Sequence, residues 1–266
     1  MIDRRVVHRS LDSEVFLSGY TAIRGVGLRA DVAIPADHAR VRTRQGALSS
    51  SMTLEVFRQG AFLSAHESFD IPLEWHFVTK RAVLEWTQEP PLIPQSASVQ
   101  CELDIQTNVE KLKQGRPFLL TWNLKLRQEG RTLALGELRG WALAPHRYRA
   151  LRRNAQIAPS PEDQPPRPKS EGVAVVEWDD RDSFLFNRPG DHVVSMVLID
   201  AAFEAVADAV DQGLTFAMDF RRFAERAQPI HRSAVHGSGG AKIIQFRQSG
   251  QVIAEAVVRT ARRSRS

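Results

Sequence analysis

The sequence predicts an α+β protein made of two copies of one unit, each an antiparallel sheet wrapped around one long helix. Three observations carry that prediction. A proline-rich break divides the chain. The same order of elements, lead-in strand, helix, then a run of strands, occurs on both sides of it. Each side contains one apolar helical stretch that needs a sheet to bury it.

The break is APSPEDQPPRPKSE, residues 158–171, with five prolines and almost no apolar side chains. Such a stretch cannot bury enough surface to fold and behaves as a linker. The predicted units are therefore 1–157 and 172–266. In the first, β-rich stretches at Glu14–Tyr20 and Gly25–Ile34 precede a polar loop. SSMTLEVFRQGAFLSAHESF then carries a broad apolar helical face, with Ser50 or Ser51 as the expected N-cap. WHFVTKRAVLEW and SVQCELDIQTNVEKL alternate at period two, and PFLLTWNLKLRQEGRTLALGELRGWAL reads as a hairpin turning at Glu129-Gly130. In the second unit, VAVVEWDDRDSFLF is expected as a lead-in strand pair and MVLIDAAFEAVADAV as the helix. LTFAMDFRRF, a less defined PIHRSAVHG and a hairpin turning at Ser249-Gly250 complete it. A sheet that wraps one central helix is the hotdog arrangement. Two such units in one chain would pair sheet to sheet, as a monomeric pseudo-dimer or within a homodimer.

Composition narrows the function. Hydrophobic residues make up 42% and charged residues 25%, ordinary for a globular protein. Cys101 is the one cysteine, so an intrachain disulfide and a cysteine-based zinc site are excluded. No apolar run approaches the roughly 20 residues that span a bilayer, and the N-terminus lacks a signal-peptide apolar core. A cytoplasmic protein without membrane association, metal or cofactor is the expectation. The net charge of +5 is gathered in RYRALRR at 147–153 and in the tail at 259–266. These runs suit an acidic partner, but solvated helix edges and a frayed tail are the plainer reading, and nucleic acid is not the expected partner.

Candidate chemistry lies at matched places. Each unit has a histidine before its helix and an acid within it: His38 and Glu55 in the first, His192 and Asp200 in the second. A carboxylate facing the apolar side of a helix would have a raised pKa and could exchange protons with a nearby histidine. The bland alternative puts both acids on a solvent stripe and makes the histidines structural. Arg58 stands one turn from Glu55, as a cation for a substrate or as an intrahelical ion-pair partner. His231, His236 and the Gly-Ser-Gly-Gly run at 237–240 suit a phosphate loop less well than a hairpin connection.

Residues 191–200, Asp-His-Val-Val-Ser-Met-Val-Leu-Ile-Asp, resemble the Asp-His-Val-Pro-Gly-Met, three apolar residues, then Glu motif of the A-factor biosynthesis (AfsA-type) hotdog proteins, relatives of the hotdog dehydratases of fatty-acid synthesis. Leu54-Glu55-Val56-Phe57-Arg58-Gln59 resembles that family's Leu-Glu-x-x-Arg-Gln helix motif. Ile71–Phe77 and Asn187-Arg188-Pro189 fit it as well. The resemblance implies an acyltransferase that moves a β-ketoacyl group from an acyl carrier protein to the hydroxyl of dihydroxyacetone phosphate, for a γ-butyrolactone-type, furan or butenolide signal. It implies Glu55, His192, Asp200 and His38 as catalytic residues. Arg58 and Gln59, with Ser195 and Met196 at the second helix start, would bind substrate, their backbone N–H groups facing the thioester oxygen. Three departures bear on this. Val194-Ser195 replaces Pro-Gly, Asp200 replaces Glu, and Phe203-Glu204 stands where the family has Arg-Gln. A 3-hydroxyacyl-thioester dehydratase or hydratase, and a degenerate acyl- or lactone-binding protein, are the competing expectations.

Overall fold

The computed structural model describes residues 2–24, 27–94, 97–113, 115–155, 173–186, 190–206 and 214–260. In chain order the strands are β1 (Leu17–Ile23), β2 (Gly27–Ile34), β3 (His76–Trp86), β4 (Val99–Lys113), β5 (Arg116–Gln128) and β6 (Arg131–Leu143). They continue with β7 (Ala174–Val175), β8 (Leu214–Phe220), β9 (His231–His236), β10 (Lys242–Gln248) and β11 (Gln251–Thr260). The helices are α1 (Ser50–Phe69), α2 (Pro145–Ala155) and α3 (Ser195–Glu204). All described strands join one antiparallel sheet in the order β1-β2-β4-β5-β6-β3-β8-β11-β10-β9-β7. The first six come from residues before the proline-rich stretch and the other five from residues after it. The two groups meet where β3 pairs with β8, Ala82 opposite Met218 and Leu84 opposite Phe216.

The hairpins turn where the sequence places them. Glu129 and Gly130 have φ of 50° and 78°, and Ser249 and Gly250 have 49° and 77°. Two successive positive values describe the tight turn whose twist matches that of the flanking strands. The Gly237–Gly240 stretch connects β9 to β10, as a hairpin connection should.

Helix α1 differs from the amphipathic expectation. Every residue from Ser50 to His66 except Arg58 is buried. The helix packs against β4, β5 and β6 and against α3, so protein covers it on nearly all sides. Its N-cap is Ser49, one residue earlier than expected, whose Oγ accepts from the Met52 N–H at 3.1 Å. Burial on all sides obliges each polar residue of the helix to find a protein partner. Ser50 accepts from Trp86 Nε1 at 3.0 Å and Ser64 meets Thr107 Oγ1 at 2.6 Å. Two glycines permit the close approach. A Cβ on Gly60 of α1 would come within 2.4 Å of Leu103 on β4, and one on Gly136 of β6 within 2.3 Å of Phe57.

Two predicted elements change. The expected strand pair over 173–186 is only β7 followed by turns. Asp182 Oδ1 accepts from the backbone N–H groups of Phe184 and Leu185, at 3.0 and 3.3 Å, and Asp179 Oδ1 accepts from that of Arg181 at 2.9 Å. These local bonds compete with strand pairing and win. The run at 147–153 is not solvated throughout, because it lies in α2 and Arg152 is buried. The linker 158–171, Asn187-Arg188-Pro189, the end of the predicted second helix and the tail beyond Thr260 lie outside the described residues.

Gly136→Ala is expected to lower stability by about 1–3 kcal/mol, because Phe57 sits where the new methyl must go. Urea denaturation followed by tryptophan fluorescence measures it. An unchanged midpoint would show that Phe57 has room to move aside.

Candidate active site

A cavity of about 1020 Å³ opens between the two parts of the chain. Phe62 and Phe77 line it from the first part, and Met196, Leu198, Phe220 and Ile253 from the second. One side is polar and centres on His192. Its Nδ1 lies 2.8 Å from Asp191 Oδ1, which also accepts from the Tyr148 hydroxyl at 2.8 Å. A carboxylate can only accept, so Nδ1 carries the proton and Nε2 keeps the lone pair. Arg152 fixes Asp191 from behind, Nε to Oδ2 at 2.7 Å, and is itself held by Glu225 at 2.7 and 2.8 Å. His76 stacks on Tyr148 with ring centroids 4.0 Å apart. Burial lowers the His192 pKa and outweighs the opposing pull of Asp191, so the ring is neutral near pH 7. Desolvation raises the Asp191 pKa, but His192, Arg152 and Tyr148 together hold it well below the carboxylate range. Desolvation and Asp191 keep Tyr148 protonated.

Helix α3 begins beside this group. Ser195 and Met196 line the cavity, and the N-cap Val194 offers no side-chain acceptor to the first turn. Arg58, the one residue of the α1 stretch Ser50–His66 left partly open, also lines the cavity. Its guanidinium grips Glu55 twice, Nε to Oε2 at 2.7 Å and Nη2 to Oε1 at 2.9 Å, and lies 4.8 Å from the Phe62 ring centre.

Glu55 is wholly buried and serves three donors. Besides Arg58, Arg9 Nε reaches Oε1 at 3.0 Å and Gln59 Nε2 reaches it at 2.8 Å. Desolvation pushes the Glu55 pKa up, but Arg58 and Arg9 overcome it and the net shift is downward. Arg9 continues to the carbonyls of Ser183 and Phe184, at 3.1 and 2.8 Å. Gln59 uses its whole amide within the protein, accepting from the Phe16 N–H at 2.9 Å and donating to the Glu14 carbonyl at 2.8 Å. Near this cluster, His38 Nε2 faces Glu14 Oε2 at 3.4 Å, and Ser183 donates to Glu14 Oε1 at 2.9 Å. On α3, Asp200 pairs with Arg40, accepts from the Ser51 hydroxyl, and shares Arg40 with Asp182.

Comparison with known proteins places this architecture. The AfsA family, described as the A-factor biosynthesis hotdog domain, matches residues 1–144, more than half of the sequence. The chain belongs to the A-factor biosynthesis hotdog family. Relatives named 2-oxo-3-(phosphooxy)propyl 3-oxoalkanoate synthase are 26% identical in Streptomyces virginiae, over 86% of this chain and 85% of theirs. The one from Streptomyces coelicolor is also 26% identical, over 75% of this chain and 69% of its own length. Among solved structures, an acyl-ACP thioesterase from Bacteroides thetaiotaomicron superposes with a TM-score of 0.57 at 15% identity, covering 86% of this chain and 96% of that one. The 12:0-ACP thioesterase from Umbellularia californica does so at 0.55 and 12% identity, covering 90% and 98%. The fold is a hotdog fold.

Within this AfsA-family chain, the residues expected to act together separate into three places. His192, Ser195 and Met196 share the cavity with Arg58. Glu55, Gln59, His38 and Asp200 line none of it. The matched acids are therefore not alike. Glu55 anchors Arg58 and Arg9, whereas Asp200 receives from the first part the cation that Phe203-Glu204 does not supply. The expected rise of a buried Glu55 pKa is reversed by the two arginines. Sequence reasoning missed Tyr148, Arg152 and Asp191 as partners of His192, and Arg9 and Glu14 around α1. Asp191 was within reach as the neighbour of His192 in the motif. Tyr148 and Arg152 carried no signal inside a basic run, and Arg9 none in an unremarkable N-terminus.

Glu55→Gln removes one charge and strands Arg9, whose side chain has no solvent exposure. An uncompensated buried charge costs about 3–5 kcal/mol. Thermal unfolding should show a clear drop in Tm, so that the variant reports on stability before it reports on catalysis. A loss below about 0.5 kcal/mol, the range of an ordinary surface change, would mean that the Arg9 charge is balanced without Glu55.

Proposed function

We propose that this protein transfers a 3-oxoacyl group from an acyl-carrier-protein thioester to the hydroxyl of dihydroxyacetone phosphate, an early step toward a γ-butyrolactone-type signal. The observation that carries the reading is the shared cavity, lined both by a neutral, tautomer-fixed His192 of the second part and by Arg58 of the first. The relatives' name describes the ester that such a transfer yields. The same reading takes the chain as two hotdog units, 1–157 and 172–266, joined by the stretch 158–171 and forming a pseudo-dimer.

In this mechanism, His192 Nε2 takes the proton of the acceptor hydroxyl as its oxygen attacks the thioester carbonyl. Asp191 stabilises the imidazolium through Nδ1–H, as the orienting acid of a triad does. Negative charge on the former carbonyl oxygen meets the N–H groups of the α3 first turn, around Ser195 and Met196. Collapse breaks the carbon–sulfur bond. The thiolate leaves with the proton that His192 returns, and the ester remains. Arg58 supplies a fixed cation for the acceptor phosphate, with Glu55 as its positioning residue. The apolar wall of Phe62, Phe77 and Ile253 suits the acyl chain. Glu55, His38 and Asp200, first expected as catalytic, have structural roles in this scheme, as does Gln59.

Mass spectrometry of a reaction holding a β-ketoacyl thioester, with and without dihydroxyacetone phosphate, tests the reading. A phosphorylated ester that appears only with the acceptor supports it, and an intact thioester in both samples sinks it. His192→Gln should lower kcat by roughly 10²–10⁴ while leaving the fold intact. The active form is neutral His192, whose pKa lies below the usual 6.5. The acidic limb of kcat/KM should therefore fall below pH 6.5, and a limb above it would assign the base elsewhere.

A further inference from the structure

A second, much smaller cavity of about 30 Å³ lies beside the first. Arg58, Phe62, Phe77, Ser195 and Met196 line both, so the small cavity adjoins the main one at the α3 first turn. Ala61, Leu138 and Ile199 give it apolar surface, Thr79 and Arg139 also line it, and so does Trp122 of β5. Trp122 is 3% exposed, and its indole N–H is buried without a hydrogen-bond acceptor among the described residues. A buried donor left unmatched costs free energy comparable to a lost hydrogen bond, and most such donors in native proteins are matched. Tryptophan can only donate. A group that completes this donor must bring an acceptor, and the volume suits one or two heavy atoms and no acyl tail.

We propose that the Trp122 cavity is the subsite for the 3-oxo oxygen of the acyl group, with Trp122 Nε1–H as the donor that distinguishes a 3-oxoacyl thioester from one without that oxygen. The assignment rests on the transferase reading above. There the thioester oxygen sits at the α3 first turn, whose Ser195 and Met196 border both cavities. The 3-oxo oxygen stands two carbons along the chain from the thioester carbonyl, the reach of the adjoining space. The rest of the chain continues into the large cavity.

Calorimetric titration with two non-hydrolysable pantetheine analogues tests this, one bearing the 3-oxo group and one with a methylene in its place. The wild type should bind the 3-oxo analogue roughly threefold to tenfold more tightly, the worth of one hydrogen bond. Trp122→Phe should bind both alike. Replacing Trp122 by β-(3-benzothienyl)alanine keeps the ring shape and removes only the N–H, so it covers the case of a Phe variant that folds poorly. Equal binding of both analogues by the wild type, or discrimination that survives loss of the N–H, overturns the subsite. With discrimination present but no ester formed in the transfer assay, the transferase reading fails and the subsite stands. Ester formation without discrimination has the opposite meaning, and binding of neither analogue overturns both.

Discussion

The constraint on which the rest depends is the burial of α1 on almost every side. A helix with one wet face can carry a glutamate at no cost. A helix enclosed by a sheet, a second helix and the N-terminal segment cannot, because a carboxylate without water must be met by cations and donors. Glu55 meets that requirement with Arg9, Arg58 and Gln59. Each then fixes something else. Arg9 reaches the carbonyls of Ser183 and Phe184 and so ties the second part of the chain to the first. Gln59 holds the backbone at Glu14 and Phe16, where the chain enters β1. Arg58 is turned toward the cavity with its guanidinium already oriented. A single buried charge therefore organises the N-terminal segment, the junction and one wall of the site.

The junction is also asymmetric, in a way that explains the unlike motifs of the two parts. Asp200, one methylene shorter than the glutamate of its family, does not reach inward as Glu55 does. It meets Arg40 and Ser51 of the first part instead, and Asp182 shares that arginine. The substitution of Phe203-Glu204 for Arg-Gln removes a cation that this arrangement no longer needs. Phe203 packs on Phe216 of β8 at 4.6 Å and belongs to the core. Loss of the motif in one part is compensated by donors from the other, so sequence departures in α3 do not amount to loss of the cavity.

Most of the strands and α1 were legible because they depend on local periodicity. The alternation of residues 75–86 and 98–112 and the two turn dipeptides carry their own instruction, and no distant contact is needed to read them. The stretch 173–186 was not legible in that way. It has strand-like apolar residues, but Asp179 and Asp182 bond to nearby backbone N–H groups and bend it into turns. The site was legible only in part, for a related reason. His192, Arg58, Ser195 and Met196 are marked by motif, and the fold brings them to one cavity. Tyr148 and Arg152 sit in a run of arginines whose ordinary fate is solvent. Nothing local separates the buried Arg152 from its exposed neighbours Arg149 and Arg153, since its burial comes from Asp191 and Glu225, which are distant in sequence.

The same separation of local from distant information sets the two histidines apart. His38 and His192 stand at matched places before their helices, and only His192 lies in a motif, Asp191-His192. Their surroundings differ. His38 is spent on Glu14, lies edge-on to Phe16 at 5.3 Å between ring centres, and does not line the 1020 Å³ cavity. His192 has one nitrogen committed to an acid that Arg152 and Tyr148 hold in place, while burial keeps the ring neutral. Of the two, His192 lines the cavity, with a fixed tautomer and a neutral ring, which is what the proposed base requires. The packing around each loop makes one part of the junction and leaves the other lining the cavity.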